Sequence, residues 1–164
     1  MKKQIMRYLM LVFALVLAAA IFWFSAQNGE KSGNSSDNLS EKILQIIGSG
    51  NGEGGEEYEQ TVIAFGTVLR KLAHFAEYFA LGAAVCGFFA TFAMQPYRCG
   101  LISFGISVLY AASDELHQYF VPGRHASVLD VLLDSVGVLC GVLVMLGLAA
   151  LIRKRSAGKK TITE

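Results

Sequence analysis

The chain has 164 residues, of which 54% are hydrophobic and 16% charged, and its mean hydropathy is +0.47. A soluble domain of this size carries about 25% charged residues, so the deficit points to a bilayer. The net charge of +1 gives no signal for a nucleic-acid partner. Cys86, Cys99 and Cys140 fall in or beside apolar runs and none lies in the long polar loop, which argues against a disulfide framework or a cysteine-ligated metal.

Four apolar runs are long enough to cross a roughly 30 Å hydrocarbon core, which takes about 20 residues. They cover residues 8–26, 72–94, 100–120 and 128–152, and the spacing predicts an all-α bundle of four transmembrane helices over residues 1–152. The first run follows the basic start "MKKQIMR" like the core of a signal peptide. Membrane-like "IFWF" continues past the best small-residue pair, Ala18 and Ala20, so the run reads as an uncleaved anchor with Trp23 near the interface. Lys2, Lys3, Arg7, Arg98 and the basic tail 153–164 place both termini and the short second loop in the cytoplasm. The acidic loop 27–71 and the "VPGRHAS" loop then face outward.

Within the long loop, "NGEKSGNSSDN" reads as irregular. Leu39, Ile43, Ile46 and Ile47 fall at helical spacing, and Asn38 or Ser40 is available as a cap, so a short amphipathic helix is expected there. It would lie at the membrane–water interface or cover the site. "NGEGGEE" reads as a flexible linker, and "YEQTVIAFGTVLRK" extends the second span outward.

Polar residues gather at one end of three runs. Arg70, His74, Glu77 or Tyr78, and Leu81 share a helical face, as do Tyr110, Asp114, His117 and Gln118. The fourth run places Ser127, Asp130, Asp134, Gly137 and Gly141 at intervals of three and four. With the orientation above, the three faces meet at the outer end. Ionisable groups at that depth cost at least about 2.5 kcal/mol each and must face the bundle interior. Gly137 and Gly141 form a GxxxG that permits close helix approach.

"RKLAHFAEYFALG", then "SDELHQYFVPGR", then "DVLLDSVGVLCG" resemble the VanZ-like family, named for a membrane protein linked to teicoplanin resistance. "SAQNG" with its following serines is similar to the segment after that family's first span. The resemblance runs from about Phe24 to Gly141. Carried over residue by residue, it implies polar positions at Arg70, His74, Glu77, Tyr78, Asp114, Glu115, Gln118, Arg124, Asp130 and Asp134; His125 receives little weight. It implies a bacterial membrane location and a resistance phenotype toward surface-acting glycopeptides, without implying a reaction.

Each position has a structural and a chemical reading. His74 with Glu77 is either a packed hydrogen-bonded pair or half a metal site, which Asp114 and His117 would complete for zinc or a similar divalent ion. Glu115 caps the network or pairs with Arg124. Arg124 is an interfacial anchor on a Pro-Gly turn or an anion clamp. Asp130 and Asp134 pair with Arg124 and Arg70, or one of them serves as a general acid or base.

Two functions remain open on this sequence. One is a non-enzymatic envelope protein whose outer site binds membrane lipid or a lipid-linked cell-wall precursor through Arg70, Tyr78, Gln118, Arg124 and Asp130. The other is a membrane enzyme on such a substrate, with Glu77, Asp114 and Asp134 in catalysis. A small transporter is least favoured, since no inverted repeat is evident.

Overall fold

The computed structural model describes residues 2–47, 55–92, 94–124 and 126–161. Runs rich in Leu, Ala, Val and Phe, without proline except at a helix start, have little choice but to close their backbone hydrogen bonds internally in lipid. Five helices result: α1 (Lys2–Ser25), α2 (Gly29–Ile47), α3 (Glu56–Ala90), α4 (Pro96–Tyr119) and α5 (Val128–Thr161). Four of these, α1, α3, α4 and α5, are long and apolar enough to cross a membrane. Large apolar side chains such as Leu15, Phe22, Leu109 and Leu143 stand on their outer faces, where lipid rather than water is the compatible solvent.

The outer extension of the second span is present, since α3 begins at Glu56 and runs 35 residues. At 1.5 Å per residue that is about 52 Å, so its first turns project beyond a bilayer core. The helix of the fourth span, α5, runs on to Thr161.

The reading of residues 28–38 as irregular is overturned. α2 begins at Gly29 and takes in the whole Ser/Gly/Asn-rich stretch. Asn28, rather than Asn38 or Ser40, caps it, its Oδ1 accepting from the Glu30 amide at 3.0 Å. Ser35 and Ser36 turn their hydroxyls back onto the Lys31 and Ser32 carbonyls at 2.8 and 2.9 Å, so they do not compete with the helix from outside. Tertiary contact supplies the rest, because α2 lies against the outer part of α3, where Gly66 admits Asp37 so closely that a Cβ would collide with it. Linker residues 51–54 and His125 lie outside the described residues.

The bundle closes on the α3–α5 pair. A Cβ at Gly137 would stand 2.6 Å from the Phe75 carbonyl oxygen, and one at Gly141 would collide with that of Phe79. Gly82 answers from α3, where a Cβ would stand 2.6 Å from the Val138 carbonyl oxygen. The expected GxxxG approach is therefore made between α5 and α3. Tyr78, Leu81, Val138 and Val142 form the buried core alongside it. At the other end from the polar residues, Arg7 donates to Thr91 Oγ1 at 3.2 Å and lies over the Phe92 ring at 3.8 Å, tying α1 to the α3–α4 connection.

Gly141→Ala is expected to lower stability by about 1–3 kcal/mol through overpacking, read as a drop in thermal midpoint in detergent. Gly105→Ala, where an added Cβ meets nothing within 4 Å, is expected to cause no drop. Equal midpoints in the two variants would refute the close α3–α5 contact.

Candidate functional site

The turn between α4 and α5 sets the site. Gly123 adopts φ +74°, a left-handed conformation that glycine takes without strain, and the turn closes with the Arg124 amide on the Val121 carbonyl at 3.1 Å. The Gly29 amide donates to the Pro122 carbonyl at 3.1 Å, docking the start of α2 on this turn. Ser127 caps α5, its Oγ accepting from the Leu129 amide at 3.2 Å. The Ser127 amide in turn donates to Glu115 Oε2 at 3.1 Å. Glu115 thus caps the network, and the Glu115–Arg124 pairing expected as the other option is not formed.

The turn aims Arg124 back into the bundle. Its Nε donates to the Gln27 carbonyl at 3.1 Å and one terminal nitrogen to the Phe24 carbonyl at 3.1 Å. The Phe24 carbonyl, at the C-terminal end of α1, also accepts from the Gln27 amide at 3.2 Å, and the Gln27 carbonyl lies just past the helix. The other terminal nitrogen donates to Gln118 Oε1 at 3.0 Å. Gln118 Nε2 donates to Asp114 Oδ2 at 3.1 Å, and Ser25 Oγ donates to the same oxygen at 2.7 Å. A buried chain of Ser25, Asp114, Gln118 and Arg124 therefore joins α1, α4 and the turn. Burial and the neighbouring Arg70 pull the Arg124 guanidinium below its ordinary value, and Asp114 and Glu115 oppose them; an arginine stays charged throughout.

α3 supplies the facing wall. Lys71 Nζ pairs with Asp130 Oδ1 at 2.6 Å. The expected pairing of Asp130 and Asp134 with Arg124 and Arg70 is thus replaced: Asp130 takes Lys71, and Asp134 takes no hydrogen-bond partner on either oxygen. Lys71 stands beside Asp130 because α3 and α5 run parallel, with the glycine contacts at Gly137 and Gly141 deeper in the pair. His74 Nδ1 approaches Glu77 Oε2 at 4.0 Å.

His117 turns away from His74 and Glu77. Its ring stacks on Phe22 of α1, with centroids 4.6 Å apart. His74, Glu77, Asp114 and His117 therefore do not converge as one ligand set, and among the described residues no three His, Cys, Asp or Glu side chains are grouped to hold a metal ion.

Two cavities meet at this end. One, of about 210 Å³, lies between α3, α4 and α5, with Lys71, Glu115, Asp130 and Asp134 on its walls. The other, of about 570 Å³, lies beneath α2, where Ser32, Ser35 and Ser36 face Phe24 and Glu77. Arg70, His74 and Arg124 line both. Arg70 Nε is buried without a hydrogen-bond partner, and Arg70 forms no ion pair with another described residue.

The structure brings Arg70, His74, Gln118, Arg124, Asp130 and Asp134 around the smaller cavity, with Glu77 on the larger and Tyr78 and Asp114 buried in the adjoining helices. Sequence reasoning missed Ser25 as a partner of Asp114, though it is the polar residue that closes the first apolar run. It did not assign Lys71 to Asp130, and it did not foresee that the serines of α2 wall a cavity.

Four helices fit to cross a bilayer, with a buried polar cluster at one end, define a polytopic helical membrane protein. The VanZ/LLP1 family model matches residues 10–152, most of the chain, and the protein belongs to this VanZ-like family. No curated protein and no solved structure matches it.

Arg124→Ala deletes three hydrogen bonds, two of them to the end of α1. The expected loss is about 2–4 kcal/mol, read by thermal unfolding in detergent. Lys71→Ala breaks a half-exposed pair and is expected to lose about 1 kcal/mol or less, shrinking further at high salt. A smaller loss for Arg124→Ala than for Lys71→Ala would contradict this assignment.

Proposed function

We propose that the protein acts at the bacterial cell envelope, where its polar site faces the extracytoplasmic side and holds the anionic headgroup of a membrane lipid or lipid-linked cell-wall precursor. Binding of that kind alters susceptibility to teicoplanin-type glycopeptides by masking or changing their surface targets. The observation that carries this reading is Arg70, whose Nε is buried and without a partner on the wall common to both cavities. A guanidinium with free donors matches the oxygens of a phosphate or carboxylate. His74 and Arg124 stand on the same wall, the latter already committed to the end of α1, so Arg70 is the principal clamp.

Gln118, Tyr78 and Asp130 act in this reading by holding the wall in register. The sidedness rests on the clustering of Lys2, Lys3, Arg7, Arg98 and Arg153 at the end away from the site. The serine face of α2 over the larger cavity supports a headgroup that carries hydroxyls or amides beyond its anion.

A second reading is favoured by one feature, a buried Asp134 on the same cavity as Arg70. It is an integral-membrane enzyme acting on the lipid-linked substrate, with Glu77, Asp114 and Asp134 moving protons. Under it, Glu77→Gln and Asp134→Asn abolish turnover while membrane level and thermal midpoint persist.

The test of the binding reading is mass spectrometry of lipids that accompany the full-length protein in mild detergent. A phosphate-bearing lipid enriched over its membrane abundance is expected, falling at least about tenfold in Arg70→Ala at unchanged folding. Expression in a glycopeptide-susceptible bacterium is expected to raise teicoplanin tolerance, and Arg70→Ala to lose that effect. Lipids recovered only in their bulk membrane ratio, or an Arg70→Ala variant that keeps both behaviours, would sink the proposal.

A further inference from the structure

Beneath the basic wall lies a group of oxygens that the hydrogen-bond chain leaves unsatisfied and that the anion of the proposed function does not contact. Tyr78 of α3, Asp114 of α4 and Asp134 of α5 are 0%, 2% and 1% exposed. Asp114 gives Oδ2 to Ser25 and Gln118, but its Oδ1 is buried without a partner, as are both oxygens of Asp134 and the Tyr78 hydroxyl. The Tyr78 hydroxyl stands beside Asp114, the carboxylate it is placed to bond, and within electrostatic reach of Asp134, without closing a well-formed hydrogen bond to either. It has one hydrogen to give, so three carboxylate oxygens outnumber the donors available to them.

No Lys, Arg or His among the described residues forms an ion pair with Asp114 or Asp134. Buried native oxygens are otherwise almost always satisfied, and an orphan calls for an explanation, a bound ion or water among them. A bare carboxylate pair in a membrane interior is strongly disfavoured.

We propose that Tyr78, Asp114 and Asp134 form a binding site for one hard divalent cation of the magnesium type. The donors are all oxygen, two of them formally charged, and they come from three helices. That chemistry suits magnesium, which takes one or two carboxylates and keeps water or phosphate oxygens in its remaining positions. Asp134 also lines the smaller cavity, which gives the ion an entry path and lets its outer positions face an anion held by Arg70. The imidazole-containing set of His74 and His117 takes no part.

Full-length protein in detergent, stripped with chelator, is titrated with Mn²⁺ alone as the spectroscopic substitute. Free Mn²⁺ is followed by electron paramagnetic resonance and stability by thermal unfolding. One Mn²⁺ per chain and a raised thermal midpoint are expected, with competition by Mg²⁺. Asp134→Asn weakens binding at least tenfold and Tyr78→Phe several-fold. Asp130→Asn, His74→Ala and Arg70→Ala keep the wild-type affinity, so failure of the anion reading leaves this result standing.

Less than one equivalent bound by folded wild-type protein at millimolar Mn²⁺ overturns the site. So does unchanged affinity in Asp134→Asn, or loss in His74→Ala instead. Where Asp134→Asn does not fold, Tyr78→Phe decides: unchanged affinity there is equally fatal.

Discussion

The structure turns on the guanidinium of Arg124 and the three oxygens it reaches. An arginine at a membrane interface could stay in water and cost nothing, yet here it folds inward onto the carbonyls of Phe24 and Gln27 and the amide of Gln118. Carbonyls at and just beyond a helix C-terminus have few intrahelical donors; Phe24 has only the 3.2 Å bond from Gln27 besides Arg124, and lipid offers no donor. Arg124 settles that deficit and, through Gln118, orients the donors around Asp114. Removing the contact would leave the end of α1, the α4 terminus and the α2 docking turn without a common tie.

The glycine contacts between α3 and α5 act in the same sense at a different depth. Close approach at Phe75–Gly137 and Phe79–Gly141 draws α5 onto α3 so that Asp130 meets Lys71 and Asp134 falls inside. Without a side chain at those two positions, dispersion contact between backbones replaces the hydrophobic drive that lipid does not supply. That closeness leaves Asp134 buried with no partner on either oxygen, although Arg70 of α3 lines the same cavity. Lys71 serves Asp130 one turn above.

Much of this was legible in the sequence because the bilayer restricts what a chain can do. Apolar length predicted the four spans, and the three- and four-residue spacing of Arg70 with His74, Asp114 with Gln118 and Asp130 with Asp134 predicted the shared faces. Two kinds of feature were not legible. The helical state of "NGEKSGNSSDN" depends on the Asn28 cap and on support from Gly66 of α3, neither of which local propensity reports. Partner choice was the other, since Lys71 rather than Arg124 or Arg70 meets Asp130 only because α3 and α5 run parallel at that glycine-set distance. His117 shows the same limit: it shares a helical face with Asp114, yet its ring finds Phe22, and spacing along α4 says nothing of what α1 presents.

The polar end therefore divides its charges by depth. Nearest the helix ends and turns, charges have partners, Lys71 with Asp130, Arg124 with the carbonyls of Phe24 and Gln27 and Glu115 with the Ser127 amide. On the cavity walls, Arg70 has donors left over, and deeper, among Tyr78, Asp114 and Asp134, oxygens are left over. Arg70 and Asp134 both line the smaller cavity without pairing with each other. A direct pair would have neutralised both at little geometric cost, since an arginine side chain is long and flexible. Their separation leaves one wall deficient in acceptors and the other in donors, so completing both takes acceptor oxygens facing Arg70 and a donor or positive charge facing Asp134.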